Sequence, residues 1–361
     1  MTGWAYWLML IAAAALVPID RTAYVKLGLP VFALIAIVLI GLRRDVGGDW
    51  DVYIAWLDAA VGAPITDFRT DLGYSLLNWV GANLGGGIYL VNTVCAAIAV
   101  GCLVVFSAHQ NRPGLALVAA VPYLMVVVYT GYTRQSVAIG LGMLAIIAAQ
   151  KQSTIPFVVL VTIAALFHKS AVVLFVFAPA IYRFPLGPDS FFKAGGMTVY
   201  AICLTFLLFV NSFGNLLGDY VLAAQAGASS ENFADNQKWA STGAVFRLLQ
   251  LSLFGAIVVI FWKRLGRQGE EPGVWGIAAA AVLTLLVLSF SRSTIADRIG
   301  LYFIPLSMYV YSVAPGLLGP KLEKFAAVGL FLVSAGSLWV WLGYGTHSRY
   351  WVPYNWALLQ Q

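Results

Sequence analysis

The segment from residue 43 to residue 53 combines two arginines, three aspartates and two adjacent glycines directly after an apolar run. Arginine presents a planar fork that binds phosphate or carboxylate through two bonds, and aspartate accepts protons. The glycines let the backbone turn sharply and approach a ligand closely. We therefore expect the arginines of this segment to be able to bind an anion and its aspartates to be able to accept a proton, with Trp50 and Tyr53 beside them.

Two further groups of polar residues follow. Asp71-Leu72-Gly73-Tyr74 opens a short helix in the sequence pattern, and Asp71 is either its N-cap or a functional carboxylate; the sequence leaves both open. Residues 131–136 form a tight turn, where Arg134 lies at the edge of the bilayer and must find a partner or face a cavity. Tyr132 and Gln135 add hydrogen-bonding groups to this turn.

The last two groups lie in the second half of the chain. His168 and Lys169 occupy the tip of an apolar hairpin, where both are costly unless they face a polar cleft. The other group places arginines at one predicted membrane depth: Arg247, Arg292 and Arg298, the last beside Asp297. An ion pair between Asp297 and its neighbour Arg298 would leave Arg292 unmatched at the same depth.

The composition identifies the elements that must position these groups. Of the 361 residues, 61% are hydrophobic and 10% are charged, with a mean hydropathy of +0.86. Soluble domains carry about 25% charged residues, so this composition excludes a soluble enzyme, a nucleic-acid-binding module and a disordered protein. We predict an all-α, polytopic integral membrane bundle of about 10 to 12 transmembrane helices. The apolar runs are 4–18, 27–42, 87–106, 113–131, 135–149, 155–167, 170–182, 194–213, 244–262, 273–290, 298–314 and 325–343.

The basic residues predict an orientation for this bundle. Short loops rich in lysine and arginine favour the cytoplasm, and we place residues 263–267 there. Alternation then puts most lysines inside and most arginines outside. We predict one integral membrane domain over residues 1–361, with the outer-face segments 43–85 and 214–243 as substrate-binding or lid regions.

Two segments are predicted to lie at the membrane interface. Residues 52–61 suit a short helix in the headgroup region, with aromatic side chains at that level. The aromatic tail over residues 350–356 is predicted to anchor the chain there as well. The acids of the chain lie at helix ends or in loops, which argues against an ion-coupled transporter.

Taken in order, these groups resemble the EpsG family of Wzy-like exopolysaccharide polymerases. The resemblance rests on Arg-x-x-x-Gly-x-Asp-x-x-x-Tyr, acidic-x-Gly-Tyr, Arg-Gln, Phe-His-x-Ser-Ala and Asp-Arg-x-x-x-Tyr-Phe, between residue 43 and about residue 305. Asp71 stands where the family more often has glutamate, a conservative departure that shortens the reach of the carboxylate.

The resemblance implies a GT-C-like fold and an inverting glycosyl transfer on the outer face of a bacterial inner membrane. The donor is a growing chain on undecaprenyl diphosphate, and the acceptor is a second lipid-linked repeat unit. No cofactor and no metal are expected, because diphosphate is already a serviceable leaving group. Membrane lipids, a chain-length-regulating co-polymerase and a flippase are the expected partners, and nucleic acid is not.

The resemblance also implies roles for individual residues. The diphosphate is bound by Arg134, Arg292 and Arg298, with Arg44 and Arg247 as further candidates. Either Asp49 or His168 is the catalytic base, and Asp71 positions the acceptor. The other substrate-binding residues are expected to be Trp50, Tyr53, Tyr74, Tyr132 and Gln135.

Three other activities stay open at this point. A related GT-C-like enzyme would transfer a single lipid-linked sugar to a glycan or protein. A transporter would move lipid-linked sugars without forming a glycosidic bond. A polytopic acyltransferase would use His168 in acyl transfer.

Overall fold

The apolar runs that fall among the described residues form helices whose ends lie close to the predicted ones. The structure is a computed structural model, and it describes residues 3–18, 24–67, 70–181, 241, 243–267, 272–290 and 293–359. In chain order the α-helices are α1 (Trp4–Ala15), α2 (Leu29–Gly41), α3 (Trp50–Asp58), α4 (Leu72–Asn83), α5 (Gly87–Ala108), α6 (Pro113–Ala120), α7 (Thr133–Gln150), α8 (Thr154–Phe167), α9 (Ala178–Ile181), α10 (Ala244–Ile260), α11 (Trp262–Arg267), α12 (Pro272–Ser289), α13 (Ser293–Gly300), α14 (Pro305–Leu318) and α15 (Glu323–Tyr344).

Short π and 3₁₀ segments extend several of these helices. A π-helical turn, Tyr24–Gly28, precedes α2, and another, Val121–Tyr129, continues α6. A 3₁₀ segment, Lys169–Phe177, leads into α9, and others lie at Leu301–Phe303, Ser348–Tyr350 and Ala357–Leu359. The all-α prediction is confirmed for the part of the chain that the structure describes.

The apolar helices are those of a polytopic membrane bundle. By length and composition α5 and α15 can each span a bilayer, and α13 with α14 passes as one span bent by 48°. Seven other apolar helical stretches among the described residues are 10–17 residues long. The count of 10 to 12 spanning helices stays a prediction, because it requires these shorter stretches to cross as well. The run 194–213 lies outside the described residues, and so does most of the predicted lid.

The chain divides into two compact units. Unit 1 consists of Met1–Ile147, Leu166–His168 and Ser307–Gln361, and unit 2 consists of Ala148–Ala165 and Lys169–Leu306. The prediction of one domain over residues 1–361 stays a prediction. The groups that could do chemistry fall in both units, so each unit is described separately.

Unit 1 is built around the pairing of α2 with α5. At Gly41, the last residue of α2, an added Cβ would lie 2.8 Å from the Thr93 Cα, so the two helices touch through backbone. At the other end of the unit, Arg112 binds Glu323 at 2.6 Å and the Ser312 carbonyl at 3.0 Å. These contacts join the start of α6 to α14 and α15.

Unit 2 is built around the pairing of α10 with α12. At Gly255 an added Cβ would lie 2.9 Å from the Ala279 Cβ, which shows how closely the two helices approach. The short helix α13 packs on α10, since a Cβ on Gly300 would lie 2.7 Å from the Leu248 Cδ2. This packing brings the polar start of α10 beside α13.

Candidate functional site

The loop that follows α2 is held in place by the C-terminal tail. The Arg44 amide donates to the Asn355 carbonyl at 3.1 Å, and the Gly47 amide donates to the Tyr350 carbonyl at 2.8 Å. Arg43 and Trp356 form an antiparallel bridge. The tail therefore fixes the backbone of the first predicted motif.

The sequence predicts an interfacial anchor for the tail, and the structure adds packing contacts that this prediction did not include. Trp351 and Tyr354 are 1% and 6% exposed, so two of its rings are buried in unit 1. The Tyr354 hydroxyl donates to the Leu39 carbonyl at the end of α2. Amphipathic aromatic residues suit an interface and a protein core alike, so their spacing did not separate the two cases.

The turn between the α6 extension and α7 lies against both the loop and the tail. Gly47 has a φ of +105°, and an added Cβ there would lie 2.6 Å from the Thr130 carbonyl oxygen. The Trp351 indole donates to the Thr130 hydroxyl at 2.7 Å. A Cβ on Gly131 would overlap the Trp351 ring. Only glycine fits where backbone and ring come so close.

Arg134, which follows this turn, is bound to Asp71. Its Nη1 donates to the Asp71 Oδ2 and to the Thr70 Oγ1, each at 2.6 Å. The Asp71 side chain is 6% exposed, and that of Arg134 is 21% exposed. The guanidinium also lies over the Trp56 ring, with Cζ 4.5 Å from its centroid. The guanidinium thereby has both a counterion and an aromatic face.

The structure excludes side-chain capping, one of the two roles that the sequence left open for Asp71. Asp71 is the N-cap residue of α4, but its side chain makes no capping hydrogen bond. Its carboxylate binds Arg134, sixty-three residues away along the chain. The N-cap residue of α4 therefore supplies the carboxylate partner of Arg134, and its side chain does not cap the helix.

The end of α8 packs against the start of α4. An added Cβ on Gly73 would lie 3.1 Å from the Phe167 Cε2 and 3.2 Å from the Leu166 carbonyl oxygen. This contact brings His168, which is half-buried and follows Phe167, to the region of Asp71 in unit 1. The glycine of the acidic-x-Gly-Tyr pattern thus lets the two helices approach closely here, and a larger residue would need its neighbours to shift by a few tenths of an ångström.

Aromatic rings form the wall behind the Arg134–Asp71 pair. Tyr53 lies 5.4 Å from Tyr74 and 5.7 Å from Trp56 between ring centroids. Tyr53 and Tyr74 are buried, whereas Trp50 is half-buried and packs against the same cluster. The arrangement is an aromatic core beneath the ion pair, with Trp50 and Trp56 at its partly exposed edge.

Tyr53 lies within electrostatic range of both charges of the site. Burial raises the pKa of the Tyr53 phenol, the Asp49 carboxylate raises it further, and Arg134 lowers it. The phenol therefore stays protonated at neutral pH, and its oxygen accepts a hydrogen bond from Arg134. Asp49 itself is half-buried at the start of α3, where its side chain makes no capping bond.

The two neighbouring arginines of the first motif have opposite environments. Arg44 is exposed, whereas Arg43 is 1% exposed. The Arg43 guanidinium donates to the Thr133 hydroxyl at 2.7 Å and to the Ile40 carbonyl at 2.6 Å. It also reaches the Asn92 Oδ1 at 3.3 Å. Burial lowers its pKa, yet a guanidinium remains charged in proteins.

The remaining predicted residues of unit 1 lie around the same turn. Tyr132 is half-buried, and its ring centroid lies 6.4 Å from that of Trp351. Gln135 is buried in the first turn of α7, directly after Arg134. Unit 1 thus brings together Asp49, Asp71, Arg134, the aromatic cluster and the turn.

Unit 2 contains a second arginine–aspartate pair. Arg247 binds Asp297 through two bonds, Nε to Oδ1 at 2.8 Å and Nη2 to Oδ2 at 2.5 Å. The Ser241 hydroxyl donates to the same carboxylate at 2.7 Å, and Ser293 accepts the Ser241 amide at 3.1 Å. Asp297 therefore pairs with an arginine of another helix and not with its neighbour in sequence.

Two other arginines of the late motif are predicted to bind the diphosphate, Arg292 and Arg298. Arg298 is exposed on α13, and Arg292 lies outside the described residues. One turn beyond, the Tyr302 hydroxyl is 3.1 Å from the Ser170 hydroxyl, which joins this motif to the Phe-His-x-Ser-Ala segment. The order of the motifs along the chain did not predict that Tyr302 would contact Ser170.

Sequence reasoning missed several residues that shape the site. The Arg134 guanidinium contacts Thr70 and Trp56, and the Asp297 carboxylate accepts a hydrogen bond from Ser241. The Trp351 indole binds Thr130 in the turn before α7. No local signal marks a threonine or serine as the partner of a distant arginine. Trp351 had a signal, the aromatic tail, which fitted a membrane interface equally well.

Comparison with protein families assigns the chain to a family. The model of the EpsG family matches residues 26–356, which include both ion pairs and the C-terminal tail up to Trp356. No curated protein and no solved structure matches the chain. The GT-C-like fold accordingly stays a prediction. With one family model matching nearly its whole length and its motifs gathered into ordered ion-pair sites, this chain belongs to the EpsG family.

Proposed function

We propose that this protein polymerises undecaprenyl-diphosphate-linked repeat units into an exopolysaccharide, capsule or O-antigen on the outer face of the bacterial inner membrane. Membership of the EpsG family supports a role in polysaccharide synthesis from a lipid-linked glycan. The observation that carries the proposal is the Arg134–Asp71 pair beside Tyr53 and Asp49. An oriented arginine can stabilise the charge on a leaving diphosphate, and a carboxylate can accept the proton of an attacking hydroxyl.

In the proposed reaction one bond to the anomeric carbon forms and another bond to it breaks. The acceptor hydroxyl oxygen attacks the anomeric carbon of the donor chain, and the bond from that carbon to the diphosphate oxygen breaks. Undecaprenyl diphosphate leaves with the bonding electron pair, and the acceptor proton passes to a base. Arg134 stabilises the negative charge that develops on the diphosphate.

Asp71 holds Arg134 in the orientation that this step needs. Because the carboxylate already accepts a bond from the guanidinium at 2.6 Å, we propose that it orients the arginine and the acceptor and does not take the proton. Asp49, whose charge acts on the Tyr53 phenol, is the proposed base, with His168 as the second candidate. Trp50, Tyr132 and Gln135 are the proposed sugar contacts, and Tyr53 and Tyr74 support them from within the core.

Unit 2 supplies further candidates for diphosphate binding. Arg298 is exposed on α13, while Arg247 has two of its nitrogens on Asp297. We propose that Arg298 contacts the diphosphate directly and that the Arg247–Asp297 pair fixes the start of α13. The co-polymerase and flippase partners belong to the proposal on the same footing as the substrate.

The test uses the purified full-length protein in lipid nanodiscs with a lipid-linked repeat unit from the host cell. A ladder of products that grows by whole repeat units supports the proposal. The ladder is expected to persist in EDTA, because the arginines take the role of a metal. Addition of single sugars, movement of substrate without new bonds, or acyl transfer would each overturn it in favour of another activity.

A further inference from the structure

Arg43 is a charged side chain buried in the middle of unit 1. It is 1% exposed, and its contacts with the described residues all go to uncharged oxygens. A buried guanidinium without a carboxylate loses its hydration for little Coulombic return, so a different residue would be expected if only stability mattered. The cost indicates that the geometry of these contacts is needed.

The contacts of Arg43 join α2 and α5 to the first residue of α7, where the turn before Arg134 ends. Nη1 binds the Ile40 carbonyl at the end of α2, and Nη2 lies 3.3 Å from Asn92 on α5. The same Nη2 donates to the Thr133 hydroxyl at 2.7 Å, on the first residue of α7. Thr133 directly precedes Arg134, so a shift of this contact moves the arginine that binds Asp71.

Two other contacts restrain the same turn from other directions. Gly47 lies against the Thr130 carbonyl, and the Trp351 indole binds the Thr130 hydroxyl at 2.7 Å. These hold the beginning of the turn, whereas Arg43 holds its end. A planar fork with fixed donors suits this position better than the single ammonium of lysine.

We propose that Arg43 is a positioning residue: it fixes Thr133, and through it the place of Arg134 opposite Asp71, without contacting substrate. This inference rests on the proposed function for its kinetic test, but not for its stability test. It assigns the two arginines of the first motif to different tasks, because Arg44 is exposed and Arg43 is not.

The kinetic test removes the contact at its smaller partner. Thr133→Val deletes the hydroxyl that Arg43 binds while keeping the shape of the side chain, and Thr133→Ser keeps the hydroxyl. In the nanodisc assay we expect T133V to lower kcat about tenfold with KM within about threefold of wild type, and T133S to restore kcat. In an R134K background T133V causes little further loss, because both changes disturb the same group.

The matched control is an arginine at the other end of the same helical run. Arg112 binds Glu323 and the Ser312 carbonyl, and the stretch Pro113–Tyr129 separates it from the turn. R112M combined with R134K is expected to show the product of the two single effects. If T133V and R134K also multiply, or if T133V raises KM and leaves kcat unchanged, the proposal is overturned.

The stability test does not depend on the reaction. Cys95 and Cys102 are buried, so a fluorogenic maleimide reports unfolding in a Cys203→Ser background. We expect T133V and D71N to be non-additive, with the double variant melting near the lower single variant, since a displaced Arg134 has already lost Asp71. Additive losses would contradict positioning. A wild type that makes no polymer but shows this coupling would refute the proposed function alone.

Discussion

At the scale of single residues, each unit contains an arginine that is held by one aspartate and one hydroxyl. Arg134 binds Asp71 and Thr70 in unit 1, and Arg247 binds Asp297 and Ser241 in unit 2. In both cases the carboxylate comes from another part of the chain. An arginine restrained in this way loses little further rotamer entropy when it binds a phosphate, which is what pre-organised catalysis requires.

Asp71→Asn is expected to reduce polymerisation at least tenfold. The substitution leaves the half-buried Arg134 without its counterion, and we expect the free energy of unfolding to fall by about 1–3 kcal/mol. Asp71→Glu keeps a carboxylate with a longer reach and is expected to retain most activity. Initial rates in nanodiscs and thiol-reactive melting curves measure both effects. Wild-type rates for D71N would exclude a role for this pair.

Asp297→Asn tests the second pair. Arg247 loses a bidentate partner, so we expect the start of α13 to loosen and the rate to fall about tenfold. Glu323→Gln is the matched control, because it breaks an Arg–carboxylate bond of 2.6 Å that lies far from the motifs along the chain. Rates for E323Q within about threefold of wild type are expected. Equal losses in the two variants would show that the effect is not specific to the site.

The sequence predicted which residue types would form the site but not their surroundings. It made Arg134 a candidate because a charged residue beside an apolar run is rare and costly, whereas Asp49 and Asp71 became candidates through the ordered motifs. It could not show which of Arg43 and Arg44 is buried, because that depends on the direction that the chain takes after α2. That direction depends on the tail, more than 300 residues later.

At the scale of elements, three segments that are distant in sequence meet at one turn. The loop after α2, the turn before α7 and the C-terminal tail are joined by backbone and indole hydrogen bonds. The helices themselves were predictable, because hydrophobic runs fix their place and length within a few residues. The contacts of the tail with the loop and the turn were not predicted, because a packing partner is not encoded in the tail's own spacing.

Gly47→Ala is expected to abolish most activity. Its φ of +105° strains any other residue, and the new Cβ would lie 2.6 Å from the Thr130 carbonyl oxygen. Gly85→Ala is the control, since Gly85 has a φ of +98° with open space around it. We expect G85A to cost about 1–2 kcal/mol of stability with a normal rate, and G47A to lower both stability and rate. If the two variants behave alike, close packing of the loop against the turn is not needed.

At the scale of the whole molecule, the helices and basic residues define a membrane protein whose charged groups gather at helix ends. Composition and hydropathy sufficed to predict that class, because a chain with 10% charged residues cannot cover a soluble surface. The arrangement of the helices was not predictable from them. Apolar faces are interchangeable partners, and the contacts that choose between them are single glycines and buried polar groups.

Cysteine labelling is expected to show the predicted orientation. Asp51 on α3 and Arg264 on α11 are both exposed, and Cys95 and Cys102 are buried, so single cysteines at 51 or 264 report accessibility in a Cys203→Ser background. An impermeant maleimide should label position 51 in intact spheroplasts and position 264 only after permeabilisation. The reverse pattern would place the Arg134–Asp71 pair on the cytoplasmic side and contradict the proposed substrate.

The central claim is that Arg134 binds the diphosphate of a lipid-linked glycan during polymerisation. Its most direct test is the glycan chain length in cells that lack this gene, complemented with wild type or with Arg134→Ala at matched protein levels. We expect wild type to restore long polymer, and R134A to leave single repeat units because its rate falls about 100-fold or more. Normal polymer in the uncomplemented cells, or full-length polymer with R134A, would contradict the claim.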